Sequence, residues 1–315
     1  MKELQGTSVV AVPPKKRRKK IPLEALIFHT INYTLLSLLS VVMLYPMLNT
    51  LAISLNEGLD AVRGGIRLWP RYFTLDNYIA VFNIHTIPAA FMMSVYRTVV
   101  QVITNIVFTS MLAYALSRKE FILRRPVSLL FVLTMYFHAG IIPQFILMQN
   151  LGLINSFHVY WLPGLISAFN LILLRTAMKA IPESLVESAR LDGASDFTIY
   201  LKIMMPLVKP TLATIALFVA VGAWNSWFDA FLFNSGAPHL SVLQFELQRF
   251  LTAAMAQGQA GGDGGAAAAV GGVNTVTPQA LRAAIAISAA IPVLIVYPFL
   301  QKHFVAGVQL GGVKE

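Results

Sequence analysis

From residue 27 onward the chain alternates between long apolar runs and short polar interruptions, and the runs set its character. Six of them are 20 residues or longer: Ile27–Ile53, Phe91–Leu116, Val127–Gln149, Val159–Met178, Leu207–Phe233 and Leu281–Phe304. A helix of about 20 apolar residues crosses the ~30 Å of a bilayer's hydrocarbon. The pattern predicts six transmembrane helices in an all-α membrane protein. Gly140 with Pro143, Pro163 with Gly164, and Pro292 with Pro298 interrupt three of the runs. Two readings stay open for these breaks: kinks that serve packing, or unwound turns that line a cavity.

Composition agrees with the pattern. Hydrophobic residues make up 57% and charged residues 12% of the 315, whereas a soluble domain carries about 25% charged. The net charge of +10 raises the possibility of nucleic acid, but a block of six cations, Lys15 to Lys20, stands just before the first run. A cytoplasmic anchor explains it, and no nucleic acid is expected. The chain has no cysteine, which excludes disulfides, thiolate metal sites and cysteine nucleophiles. The first run is too long for a signal-peptide core and no small-residue cleavage site follows, so it reads as a retained span.

An even number of spans puts both termini on one side. With that side inside, 18 of the 24 Lys and Arg residues lie there, and the positive-inside rule makes it the cytoplasm. Arg63, Arg67, Arg71, Arg97, Arg249 and Arg282 remain for the outer loops and outer span ends. The expected organisation is a basic tail over residues 1–20 and a six-span domain over 21–315. Two outer loops, about 54–90 and 234–280, are long enough to fold. In the first, Thr74 is placed to cap a short helix reaching Phe82. In the second, Leu240, Leu243, Leu247, Phe250, Leu251 and Ala254 make one helical face. The Gly/Ala-rich stretch Gln257–Gly272 reads as a linker, and Thr277-Pro278 restarts helix.

The most informative polar interruption is 181–206, between the fourth and fifth runs. Pro182 sits at a helix start, Glu183 and Glu187 are one turn apart, and Leu185, Ala189 and Leu191 supply apolar surface. Asp192-Gly193 signals a turn. A second short helix, Asp196–Met204, runs up to Pro206. The physics allows either an ordinary amphipathic loop helix or a docking surface. The segment resembles the signature of importer permeases of the ATP-binding-cassette superfamily, Glu-Ala-Ala-x3-Gly-x9-Ile-x-Leu-Pro. Glu187, Ala189, Gly193, Ile203 and Pro206 match at the right spacing, while Ser188 stands for Ala and Met205 for Leu. Leu68-Trp69-Pro70, Phe73-Thr74-Leu75, Gly140 to Pro143, Asn225 to Ala230 and Tyr297 to Phe304 with Gly307 and Lys314 are similar to the carbohydrate-uptake permeases. Within that group the chain looks like the maltose-type oligosaccharide branch with the lipoprotein/polysaccharide permeases. The Gly/Ala-rich linker departs from it in composition.

The resemblance implies a type I importer permease fold with a cytoplasmic coupling helix, in the plasma (inner) membrane of a bacterium. It implies a transport subunit rather than an enzyme, with ATP hydrolysed by a cytoplasmic partner docked on 181–206. Glu183, Glu187, Ser188, Ala189, Asp192, Gly193, Ile203 and Pro206 form the coupling set. Glu187 would pair with a basic residue of the ATPase, Ala189 would allow close approach and Gly193 would permit the turn. A second, different permease chain and an extracytoplasmic sugar-binding protein are the other implied partners. No P-loop, zinc motif or nucleophile elbow is present, so no catalytic residue, metal or cofactor of its own is expected. The histidines, His29, His138 and His158 among them, are scattered. Aromatic rings and amides suit sugars, and Tyr136, Gln144, Trp224, Asn225 and Trp227 are candidates for the pathway. For the tryptophans an interfacial aromatic belt is the competing reading. An ion-coupled carrier is the alternative function; it requires charged groups inside the spans.

Overall fold

The computed structural model describes residues 23–137, 139–259 and 276–312. The basic tail, most of the Gly/Ala-rich linker, His138 and Lys314 fall outside them, as do the side chains of Leu251 and Ala254. The described residues are helical apart from turns, loops and one isolated antiparallel bridge, Asn56 to Phe73. The chain divides into two units, residues 1–48 and 49–315.

The first unit holds most of helix α1, Leu23–Ser54. Leu35, Leu38, Val41 and Met43 are exposed on it in every direction. A helix that is apolar all round has no polar face to turn toward water, which is the signature of a span.

The second unit is built around α4 (Thr86–Ser117), α7 (Ala168–Lys179), α11 (Lys209–Asn225) and α14 (Pro278–Gly312). Helix α4 packs on α7 and α11, and α11 packs on α14. Between them lie α5 (Arg124–Thr134), α6 (Ile141–Asn150), α8 (Glu183–Leu191), α9 (Asp196–Ile199), α10 (Met205–Leu207), α12 (Phe228–Asn234) and α13 (Leu243–Gln259). Helices α2 (Gly58–Val62) and α3 (Asp76–Asn83) belong to the first long loop. One core cluster joins Ala113, Leu116, Leu174 and Met178 to Val186, Ile199, Met204 and Ile215. A second gathers Val81, Ile87, Trp224, Leu243 and Ile285.

Among the described residues three helices are long and apolar enough to cross a membrane: α1, α4 and the first 18 residues of α14. The bent pair Asp196–Leu207 with Lys209–Asn225 makes a fourth if it counts as one span. The third, fourth and fifth predicted spans are broken, the third and fourth where Pro and Gly fall. The third is two helices separated at 135–140, with Gly140 at φ 86°. The fourth has a short 3-10 turn, Phe157–Tyr160, then non-helical backbone around Pro163 and Gly164 before α7. The fifth is α11 and α12, parted at Ser226-Trp227. Pro163 has no N–H to give a ladder and Gly140 accepts φ > 0, and the backbone is unwound at both places. The sixth differs, since α14 continues through both Pro292 and Pro298.

The loops are folded. Thr74 does not occupy the capping position expected for it: Leu75 does, and the Thr74 hydroxyl accepts from the Asp76 amide at 3.1 Å. Asn77, fully buried, donates to the Ser54 and Asn56 carbonyls at 3.0 and 2.8 Å, and Asp60 pairs with Arg71. The second loop forms α13 on the predicted face, with Leu243 buried and Leu247 and Phe250 packed on the same core. Pro278 opens α14, and the Thr277 hydroxyl accepts from the Ala280 amide at 3.5 Å.

Arg97 is a correction to the charge map. It is not at a span end facing water but inside α4, 1% exposed. It holds Asp229 of α12 through two hydrogen bonds of 2.7 and 3.2 Å, donates to the Ser226 carbonyl at 3.3 Å, and lies 4.5 Å from the Tyr160 ring centroid. The carbonyl freed by the break in the fifth run thus finds a donor on α4. Removing one partner of such a pair strands the other charge. Arg97→Met is expected to cost about 3 kcal/mol, with part recovered when Asp229→Leu is added, measured by thermal unfolding in detergent.

Candidate functional site: the 181–206 loop and the polar line of α4

Helix α8 starts after Pro182 and stops at Gly193 for a local reason. The Gly193 amide donates to the Arg190 carbonyl at 3.0 Å and the Ala194 amide to that of Ala189 at 2.9 Å, the bond pair of a Schellman end. Gly193 takes φ 80° to make it. Ser195 then caps α9, its hydroxyl accepting from the Thr198 amide. A π-turn, Tyr200–Met204, leads into α10, and the path bends by 79° before α11. Pro210 has no N–H for the ladder at that bend.

The two faces of α8 have different tasks. Val186 and Ala189 are buried in the first core cluster, and Ile203 packs against it. Ala189 therefore lets the helix approach its own bundle. Glu183, Leu185, Glu187, Ser188, Leu191, Asp192 and Gly193 are exposed, as is Pro206, and Leu191 is 89% so. The apolar surface expected from Leu185, Ala189 and Leu191 is thus split between the two sides.

The segment before α5 ties the loop down. Lys119 pairs with Glu183, and Arg190 pairs with both Glu120 and Asp196. Hydrogen bonding from Arg190 holds the Glu120 carboxyl below its ordinary range, and bonding to Glu183 raises the Lys119 ammonium. The Arg190 guanidinium is raised in turn, mainly by Glu120. Glu183 is thereby engaged within the chain. Among the described residues the Glu187 side chain makes no hydrogen bond or ion pair, although its charge helps raise Lys119.

The five pathway candidates are not brought together. Tyr136 is 80% exposed beside the break between α5 and α6, and Gln144 is exposed on α6. Trp224 is buried against Phe91, and its indole Nε1 donates to the Ala289 carbonyl at 2.9 Å. Asn225 donates to the Val221 carbonyl at 3.0 Å. Trp227 belongs to an aromatic group with Phe228 and Phe231, at the edge of a groove of about 790 Å³ that Phe245, Gln248 and Arg249 also line.

Sequence reading passed over a line of polar residues on α4. Arg97, Gln101, Asn105 and Thr109 recur every four positions, so they share one face. The spacing in an otherwise apolar run was the signal. Glu246, buried and bonded to Ser241, Thr86 and Arg249, was also missed; it left no such pattern.

Known proteins can be set beside this geometry. Residues 86–310 match the family described as binding-protein-dependent transport system inner membrane component. The chain belongs to that family. It is 35% identical over 288 residues to the polygalacturonan/rhamnogalacturonan transport system permease protein YtcP of Bacillus subtilis (strain 168), covering 91% of this chain and 98% of that one. The arabinooligosaccharides transport system permease protein AraQ of Halalkalibacterium halodurans is 28% identical over 303 residues, 95% of this chain and 99% of that one. Among solved structures, a chain of a bacterial ABC transporter involved in importing the acidic polysaccharide alginate superposes with a TM-score of 0.80 at 31% identity, covering 91% of this chain and all of that one. The helical fold of this inner-membrane component is therefore that of an ABC importer permease.

Two outcomes are expected for the loop. Gly193→Ala meets no atom within 4 Å, so its cost is backbone strain alone, about 1–2 kcal/mol, read as faster amide exchange over 183–194. The Glu120 tie is present above the ordinary carboxylate range and lost as pH falls through its lowered pKa. The Lys119 tie is present below the ordinary lysine value and lost as pH rises through its raised one. Protection of the loop amides is thus greatest between about pH 5 and 10, and Glu120→Gln should reduce its acid limb, leaving the part carried by the Glu183 and Asp196 ties.

Proposed function

We propose that this chain is the transmembrane pathway subunit of an ATP-binding-cassette importer for a sugar, most plainly an oligosaccharide, delivered by an extracytoplasmic binding protein. It crosses the membrane six times with both termini in the cytoplasm; the broken runs between α5 and α6, before α7, and between α11 and α12 each count as one span. A partner ATPase docks on 181–206, and a second permease chain completes the pathway.

The observation that carries the reading is the division of α8. One face is fixed to the permease core by Val186 and Ala189, and the other offers an unpaired acid, Glu187, flanked by exposed Leu185 and Leu191. An exposed acid beside exposed leucines suits a groove that is basic and apolar. The 79° bend before α11 supports a loop lying across the direction of the span it feeds. ATP drives transport only if these contacts differ between inward- and outward-facing states. The sugar assignment is supported by relatives whose names specify polygalacturonan, rhamnogalacturonan and arabinooligosaccharides. An ion-coupled carrier would need an available charge within the spans, whereas Arg97 and Asp229 neutralise each other.

The test is co-purification of the intact complex with the native chain and with Glu187→Arg. The native chain is expected to bring an ATPase whose hydrolysis rises with sugar-loaded binding protein. Reversing the charge should lower that association at least tenfold, roughly 1.4 kcal/mol or more. No ATPase with the native chain would remove the proposal.

A further inference from the structure

Asn105 and Asn170 are buried amides in a helical bundle with no water-facing reason to be there, 2% and 5% exposed. Together with Gln101, Ser167, Phe169 and Phe218 they line a cavity of about 500 Å³, within the ~300–1,000 Å³ of small-molecule sites. Its depth follows from α4. Gln101 has 15 residues of that helix before it and 16 after it, so it stands at mid-length, ~22–24 Å from either end. The opposite wall is the unwound backbone before α7. Asn105 Nδ2 donates to the Gly164 carbonyl at 2.8 Å, and Asn170 Nδ2 reaches Asn105 Oδ1 at 3.5 Å. A Cβ at Gly164 would meet Gln101 Nε2 at 2.8 Å, so the Gln101 side chain lies directly against this backbone.

The polar capacity of this wall exceeds what the protein uses. Gln101 Oε1 is buried with no hydrogen-bond partner. Non-helical backbone at such depth is tolerated where it lines a cavity. The Phe169 and Phe218 rings, with centroids 6.2 Å apart, supply flat apolar faces beside the amides. Amides offering donor and acceptor together with aromatic faces are the complement of a pyranose, whose hydroxyls ring an apolar C–H face. No charged side chain lines the cavity, so it would hold the hydroxyl-bearing part of a sugar, not a carboxylate.

We infer that the cavity formed by Gln101, Asn105, Ser167, Asn170, Phe169 and Phe218 is the sugar-contacting site of this chain, at mid-membrane. The assignment rests on the importer reading above and moves the site away from the tryptophan pair at Trp224 and Trp227. Asn105 is a positioning residue, since its amide is committed to the Gly164 carbonyl.

The experiment uses the assembled importer in vesicles, with oligogalacturonate and arabino-oligosaccharide as probes. Gln101→Ala with Asn170→Ala should lower uptake of the transported probe by about tenfold, the equivalent of one or two lost hydrogen bonds. ATP hydrolysis stimulated by loaded binding protein should stay within about twofold, since the variants leave the loop untouched. Unchanged uptake overturns the assignment. So does a parallel fall of uptake and hydrolysis in an assembled complex, which would mark a structural role. A native chain that recruits no ATPase sinks the importer reading instead, a separate result. If the double variant fails to assemble, Ser167→Cys decides, because the chain has no other cysteine. Its labelling by a small thiol reagent should slow at least severalfold when the probe is being transported. A rate indifferent to the probe, or no labelling in the complex, overturns the site.

Discussion

Hydrocarbon offers a backbone amide or carbonyl no partner, and this chain nevertheless breaks its helices at three depths. Two of the breaks are met by a side chain on a neighbouring helix. Arg97 supplies the Ser226 carbonyl and Asn105 the Gly164 carbonyl, both from α4. Without that helix the fifth and fourth runs would have to stay continuous, and α12 and the turn before α7 would lose their positions. The same arrangement removes the free charge from the interior, because Arg97 closes on Asp229 while it holds the carbonyl beside it.

The loop at 181–206 applies a related economy at the surface. Its helix is short, so its own ladder cannot hold it. A Schellman end, two buried residues and ion pairs to Lys119 and Glu120 do so instead. What remains outward includes Glu187, Ser188 and Asp192 with Leu185 and Leu191. A docking surface is more specific when the residues around the free acid are already committed elsewhere.

Much of this was legible in the residues themselves. Run lengths located α1, α4 and α14, and the apolar spacing in the second long loop located α13. Asp192-Gly193 announced its turn because glycine alone takes φ 80° without strain. The breaks in the third and fourth runs were visible as Pro and Gly, that at Ser226-Trp227 was not, and the consequence of none was. Pro163-Gly164 falls where the fourth run is unwound, whereas Pro292 and Pro298 leave α14 intact. Tertiary pairing hid in the same way. Arg97 read as a boundary charge because its partner stands in another run, and Ala189 read as outward because the core it joins, with Leu174, Met178 and Ile199, comes from other elements. The pathway residues were sought among tryptophans, where ring size drew attention. Gln101, Asn105 and Thr109 carried the quieter mark of a repeat of four.

The line along α4 also bears on how the protein is made. Arg97 leaves the ribosome 132 residues before Asp229. At ~5–20 residues per second, the cation waits on the order of ten seconds for its counter-charge. An arginine at the centre of a lone helix costs ~2.5–3.5 kcal/mol to place in lipid, and three further polar residues share its face. Helix α4 is therefore poorly suited to enter the bilayer by itself and well suited to linger at the insertion machinery until the fifth run arrives. The contact that secures the finished transporter sets the order in which its helices can leave water.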